Sequence, residues 1–165
     1  MELYQKLTDL LAVRFAEAGV YGVCIPSAAL LYEGLQQLTP SCSLEKGFLL
    51  LKHKTLSSEC SAMFHCWVVC NGKVLDVGNR INMLLFGDHF QDFNFDVTPT
   101  LPSGYRRVDL DSEDEIYAEK TNHQVFSKFQ TNPSQFWKEA CKATPDLTHI
   151  RANFLSLVSK LRSGI

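Results

Sequence analysis

The sequence predicts an α+β domain in which helices flank a small antiparallel sheet. Apolar residues recur at helical spacing near the N-terminus and again from residue 112 onward, while the middle of the chain changes to strand-like runs around an Asn-Gly turn. No repeat, low-complexity tract or linker divides the 165 residues, so 1–165 reads as a single domain with enough chain to bury a core.

Leu3, Leu7, Leu10, Leu11, Phe15 and Ala18 give a helical face over residues 2–18, and Gly19 ends it. After Gly19-Val20-Tyr21-Gly22-Val23 a second helix is expected to open around Cys24 to Ser27, with Ala28, Leu30, Leu31, Leu35 and Leu38 turned inward. Pro26 suits its first turn, where a missing N–H costs nothing. Pro40 and Ser41 close it. Gly47-Phe48-Leu49-Leu50-Leu51 reads as a strand. Residues 61–70 carry almost no charge and many aromatic and β-branched side chains, as a central strand buried on both faces would.

Asn71-Gly72 is a strong hairpin-turn signal, and Lys73-Val74-Leu75-Asp76-Val77 returns as the partner strand, ending at Gly78-Asn79. Residues 79–112 read as irregular, with Phe86, Phe90, Phe93, Phe95 and Tyr105 among turn formers and one short strand around Tyr105-Arg106-Arg107-Val108. Helices follow over 112–130, 133–142 and 146–162, the last two opened by Asn132-Pro133 and Pro145-Asp146.

Composition excludes several classes. Hydrophobic residues at 45% and charged residues at 21% are globular values. A net charge of -2, with basic residues scattered, argues against nucleic acid or an anionic membrane as partner. The N-terminus lacks the charged start and apolar run of a signal peptide, and no stretch has the length of a membrane span, so a soluble, cytoplasmic protein is expected. In that setting the six cysteines, at 24, 42, 60, 66, 70 and 141, are expected to be thiols.

Chemistry concentrates at Cys24, His65 and Asp76. A thiol at a helix start is held near backbone N–H dipoles that favour thiolate, and its own amide is available to an oxyanion. The Asn-Gly turn pairs Cys70 with Lys73; continuing the register sets Trp67 opposite Asp76 and His65 opposite Gly78. His65 and Asp76 are then diagonal neighbours on one face, about 7–8 Å apart at the backbone and within side-chain reach. A carboxylate so placed fixes the imidazole and leaves its other nitrogen for the thiol. Taken singly, Cys24 and His65 are ordinary core residues; the three together read as a catalytic triad. Tyr21 and Trp67 are the aromatic candidates for substrate contact.

The text Cys24…Ala28-Ala29-Leu30-Leu31, Gly47-Phe48, His65-Cys66-Trp67-Val68-Val69 and Gly72-Lys73-Val74-Leu75-Asp76 resembles transglutaminase-like proteins of the papain-like superfamily. It is particularly similar to the compact leader-peptide peptidases of lasso-peptide maturation, and similar spacing occurs in arylamine N-acetyltransferases. The resemblance covers about residues 20–80 and implies a papain-like core. It implies Cys24 as nucleophile, His65 as general base and then acid, and Asp76 as the orienting carboxylate. The implied reaction is hydrolysis of an amide, by a peptidase or glutamine deamidase, through a thioester and without a cofactor. Acyl transfer to an amine on the same triad, or an inactive binding domain of the same fold, are the alternatives, and a peptide or protein is the implied partner. Papain carries a glutamine shortly before its cysteine; residues 19–23 contain none, so a second oxyanion donor is expected from Tyr21, a backbone amide or Gln5.

Cys60, Cys66, Cys70 and His53 lack the CxxC knuckle of a zinc site, and no metal is expected. Residues 109–115 form an acidic run without the loop glycine of an EF-hand and read as a solvated helix start.

Overall fold

Helix α1 (Glu2–Glu17) buries Leu7, Leu11 and Phe15 and stops in a Schellman turn. There Gly19, at φ 67°, takes the left-handed position, and the N–H groups of Gly19 and Val20 bond the carbonyls of Ala16 and Phe15. Helix α2 (Cys24–Gln36) then runs through the centre of the molecule. Ile25, Ser27, Ala28, Ala29, Leu30, Leu31, Gly34 and Leu35 are all buried, and each large apolar side chain so covered contributes about 1.5–3 kcal/mol. Gly34 is required by close approach, since a Cβ there would lie 2.5 Å from Cε1 of Phe154.

This computed structural model describes residues 1–56, 58, 60–108 and 115–164. The remaining elements are β1 (Cys42–His53), β2 (Cys60–Cys70), β3 (Lys73–Leu75), α3 (Val77–Phe90), β4 (Phe93–Thr98), β5 (Arg106–Arg107), α4 (Glu115–Thr131), α5 (Pro133–Ala143) and α6 (Asp146–Ser163). The class is mixed α+β. Strand order is β3-β2-β1-β4, antiparallel throughout, with β5 parallel to β2. Among the described residues no helix is long and apolar enough to cross a membrane.

Among the described residues, one edge of β2 has a gap. Its other edge pairs with β1 along its whole length, from Cys60 to Cys70. On the open side β3 covers only Val68–Cys70 and β5 only Ser61–Ala62. Among the described residues, no strand lies beside 63–67 of β2 on that side, and His65 is in the middle of that gap.

The C-terminal helices close over α2. Trp137 donates from Nε1 to Glu33 at 2.7 Å, Arg151 reaches the other Glu33 oxygen at 3.3 Å, and the Arg151 guanidinium lies 4.6 Å over the Trp137 ring. Asn132 caps α5 by accepting from the Gln135 N–H, with Pro133 at the first helical position.

Three expectations need correction. The strand expected at Lys73–Val77 ends at Leu75, because Asp76 caps a helix, accepting from the Asn79 N–H at 3.0 Å. The stretch expected to be irregular holds α3 and β4. Helix α3 was obscured by its glycines, a weak apolar face with only Val77 and Ile81 buried, and a kink at Phe86. Strand β4 alternates Phe93, Phe95 and Val97 against exposed Asn94 and Asp96, and pairs with β1. Strand β1 is longer than Gly47–Leu51, because β2 continues to pair with it as far as Cys42. Residues 109–114, which hold most of the acidic run and the expected start of the fourth helix, lie outside the described residues.

Candidate active site

Cys24 is the first residue of α2, delivered by the short link after α1. Gly22 makes that link possible: it stands at φ 70°, where an L side chain is strained. The N-cap, Val23, makes no side-chain bond to the helix end. Pro26 has no N–H, and Ser27 N bonds the Val23 carbonyl, so the amides of Cys24 and Ile25 are the two that precede the intrahelical ladder. The nucleophile candidate thus stands on an uncapped positive helix end.

His65, from the β2 gap, is 2% exposed. Its Nε2 lies 2.7 and 2.8 Å from the two oxygens of Asp76, whose side chain is 13% exposed. The pairing predicted from hairpin register is met, by a different local route. The β2–β3 ladder follows the expected register through Val68 and Leu75, then the chain leaves the sheet and Asp76 approaches His65 from the start of α3.

Nδ1 is left for Cys24. Both residues pack on Gly78, where a Cβ would lie 2.9 Å from His65 Cε1 and 3.6 Å from Cys24 Cα and Cβ. The three elements meet because residue 78 has no side chain.

Electrostatics favour an ion pair here. A hydrogen bond from Cys66 is the strongest influence on the Cys24 thiol; burial opposes it, and the His65 hydrogen bond and charge add to it, bringing the thiol down to about 5. Burial alone would push the imidazole down, but the Asp76 charge and hydrogen bond, with help from Cys24, raise it to about 10. The two shifts run in the directions that favour thiolate and imidazolium. The Cys66 thiol is pushed up by Cys24 and by burial, which favours its protonated form.

The pair opens into a cleft of about 310 Å³ lined by Gly22, Val23, Cys24, Met63, Phe64, His65, Gly78, Ile81, Asn82 and Asn122. Trp67 is not among these; it is 3% exposed and lies nearly parallel to the His65 ring, at 20° with centroids 6.3 Å apart. It backs the imidazole and does not line the cleft. Tyr21 is 60% exposed beside the cleft residue Gly22, its ring edge-on to Phe86 at 5.3 Å. Gln5 is spent on Asp9 on the surface of α1, at 3.1 Å. The polar amides at the cleft are Asn82 and Asn122, which sequence reasoning missed. Neither has a local signal, since α3 was not foreseen and Asn122 comes from a helix about forty residues further on.

Among the described residues no three His, Cys, Asp or Glu side chains converge as a metal site requires. Compared with known families, curated proteins and solved structures, the chain finds no match.

Proposed function

We propose that this protein is a thiol-dependent amide hydrolase, a peptidase or glutamine deamidase on a papain-like, transglutaminase-like core. One observation carries the reading: a thiol lowered to about 5 shares a cleft with a buried imidazole whose far nitrogen is held by both oxygens of a carboxylate. A core histidine satisfied for packing alone has no need of a thiolate on its other side.

In the proposed reaction the Cys24 sulfur attacks the substrate carbonyl carbon, and the oxygen takes the negative charge. The Cys24 amide donates to that oxygen, with Asn82 or Asn122 as the second donor from the cleft wall. His65 gives its Nδ1 proton to the leaving nitrogen as the C–N bond breaks, leaving a thioester on Cys24 and the free amine or ammonia. Water then gives a proton to His65 and attacks the thioester. The carboxylic acid departs and the thiolate returns. Asp76 keeps the imidazole oriented and stabilises its charge without taking the proton. The cleft, at about 310 Å³, suits one side chain and its amide, which favours a peptide or glutamine side chain over a bulky acyl donor.

Incubation with glutamine-containing peptides, followed by measurement of ammonia and of chain cleavage, tests this directly. Release of either product, with an acyl adduct on Cys24 by intact mass and both lost on Cys24→Ala, is the expected result. Turnover that survives Cys24→Ala overturns it.

A further inference from the structure

Strands β1 and β2 bring together a thiol pair independent of the proposed reaction. Cys70 is directly opposite Cys42 on β1, and their sulfurs lie 2.6 Å apart. The hairpin turn determines the backbone geometry of that pair. Asn71 and Gly72 both have positive φ, 51° and 75°, the type I′ turn, so Cys70 directs its N–H and C=O toward Lys73. Toward β1 it is therefore a non-hydrogen-bonded position, as the next bond along, Asn71 N to Ser41 O at 3.3 Å, bears out. Cα atoms in such a pair are about 4.5 Å apart, inside the window of about 4.4–6.8 Å that a disulfide spans.

Access comes from one side. Cys70 is fully buried, but Cys42 lines a cavity of about 630 Å³ with Tyr32, Glu33, Gln36, Leu44 and Phe129. That cavity is separate from the Cys24 cleft and shares no lining residue with it.

We propose that Cys42 and Cys70 form a cross-strand disulfide on exposure to a small-molecule disulfide such as oxidised glutathione. The Cys42 sulfur, losing its proton, attacks one sulfur of the oxidant and releases one small thiol. Cys70 then attacks the Cys42 sulfur of that mixed disulfide, loses its proton and releases the second. Two protein thiols are oxidised, one small disulfide is reduced, and the two protons leave with the two small thiols. The bond closes the loop from 42 to 70 and clamps the two strands behind the hairpin that leads to Asp76. Burial and the neighbouring Cys70 push the Cys42 thiol up to about 12, so oxidation is slow at neutral pH and accelerates with alkali. That behaviour suits a structural staple and not a rapid sensor.

The test is oxidation of the folded full chain carrying Cys24→Ser, which removes the reactive thiol, with excess oxidised glutathione. The remaining thiols are then alkylated and the digest mapped. A peptide containing Cys42 linked to one containing Cys70 is expected, with an intact mass lower by two hydrogens. The denaturation midpoint should rise on oxidation and return on reduction. Recovery of Cys42 and Cys70 as separately alkylated peptides, or linkage of either to another cysteine, overturns the proposal. Cys70→Ser serves as the control for the midpoint; if it does not fold, the map of the Cys24→Ser chain decides alone.

Discussion

Asp76 holds His65 with both carboxylate oxygens, at 2.7 and 2.8 Å from Nε2, and with one of the same oxygens accepts the Asn79 N–H that starts α3. One side chain thus orients the imidazole and caps a helix. The two duties separate by substitution.

Asp76→Asn keeps the cap, since asparagine and aspartate cap equally well, but removes the charge that favours imidazolium and the correct tautomer. Amide hydrolysis should fall by roughly a hundred- to ten-thousand-fold, and stability should fall by the lost ion pair with His65 while the cap is kept. Asp76→Ala should lose activity similarly and about 1 kcal/mol more stability than Asp76→Asn, with the cap. Paired urea melts and initial rates distinguish the two; equal stability loss in both variants contradicts the cap assignment.

Gly78→Ala sets helix propensity against site geometry. In an open helix the change gains about 0.5–1 kcal/mol. Here the new Cβ meets His65 Cε1 at 2.9 Å, with Cys24 just behind. The imidazole must shift, so Cys24 reactivity and turnover should drop while far-UV circular dichroism keeps its helical signal. Full activity in this variant would show that residue 78 does not hold the pair together.

Stability should vary with pH as the ion pair dictates. His65 is raised from 6.5 to about 10, so its contribution is complete below pH 6.5 and is lost as pH climbs through about 10. Cys24 is lowered from 9.0 to about 5, so its contribution is complete above pH 9.0 and is lost as pH falls through about 5. Between 6.5 and 9.0 the slopes cancel, because the fold has released one proton and retained another. The thermal midpoint should rise from about pH 5 to 6.5, stay level, and fall toward about pH 10. In Cys24→Ala the rising limb attributable to the thiol disappears.

Cys66→Ala removes the strongest influence lowering the Cys24 thiol. The midpoint of the thiolate absorbance near 240 nm should move up in this variant. In Cys66→Ser, whose hydroxyl also donates, it should stay closer to wild type. An unmoved midpoint in both variants contradicts the hydrogen bond.

Much of the site was legible in the chain because its determinants are local. Asn71-Gly72 is a turn that few other sequences make, and strict alternation carried the register from Cys70 back to His65. Asp76 was paired correctly although its strand was misread, since a capping residue just after a strand end occupies nearly the place that the next strand position would. The helix start at Cys24 followed from glycine, proline and the apolar run behind it. Gly78, Asn82 and Asn122 were not legible. Their roles come from the approach of separate elements, and a missing Cβ or an amide on a weakly amphipathic helix leaves no periodic trace. The Cys42–Cys70 contact stayed hidden for the same reason: β1 reads as a strand only from Gly47, so the pairing that aligns the two thiols begins before any apolar run announces it.

In the proposed reading Cys24 is a thiolate, made so by its neighbours. Alkylation with iodoacetamide at about pH 6, followed by mapping of all six cysteines, measures this most directly. Rapid, selective modification of Cys24, lost in His65→Ala and weakened in Asp76→Asn, is the expected result. Even labelling of all six thiols, or a Cys24 that reacts no faster than Cys141, would contradict it.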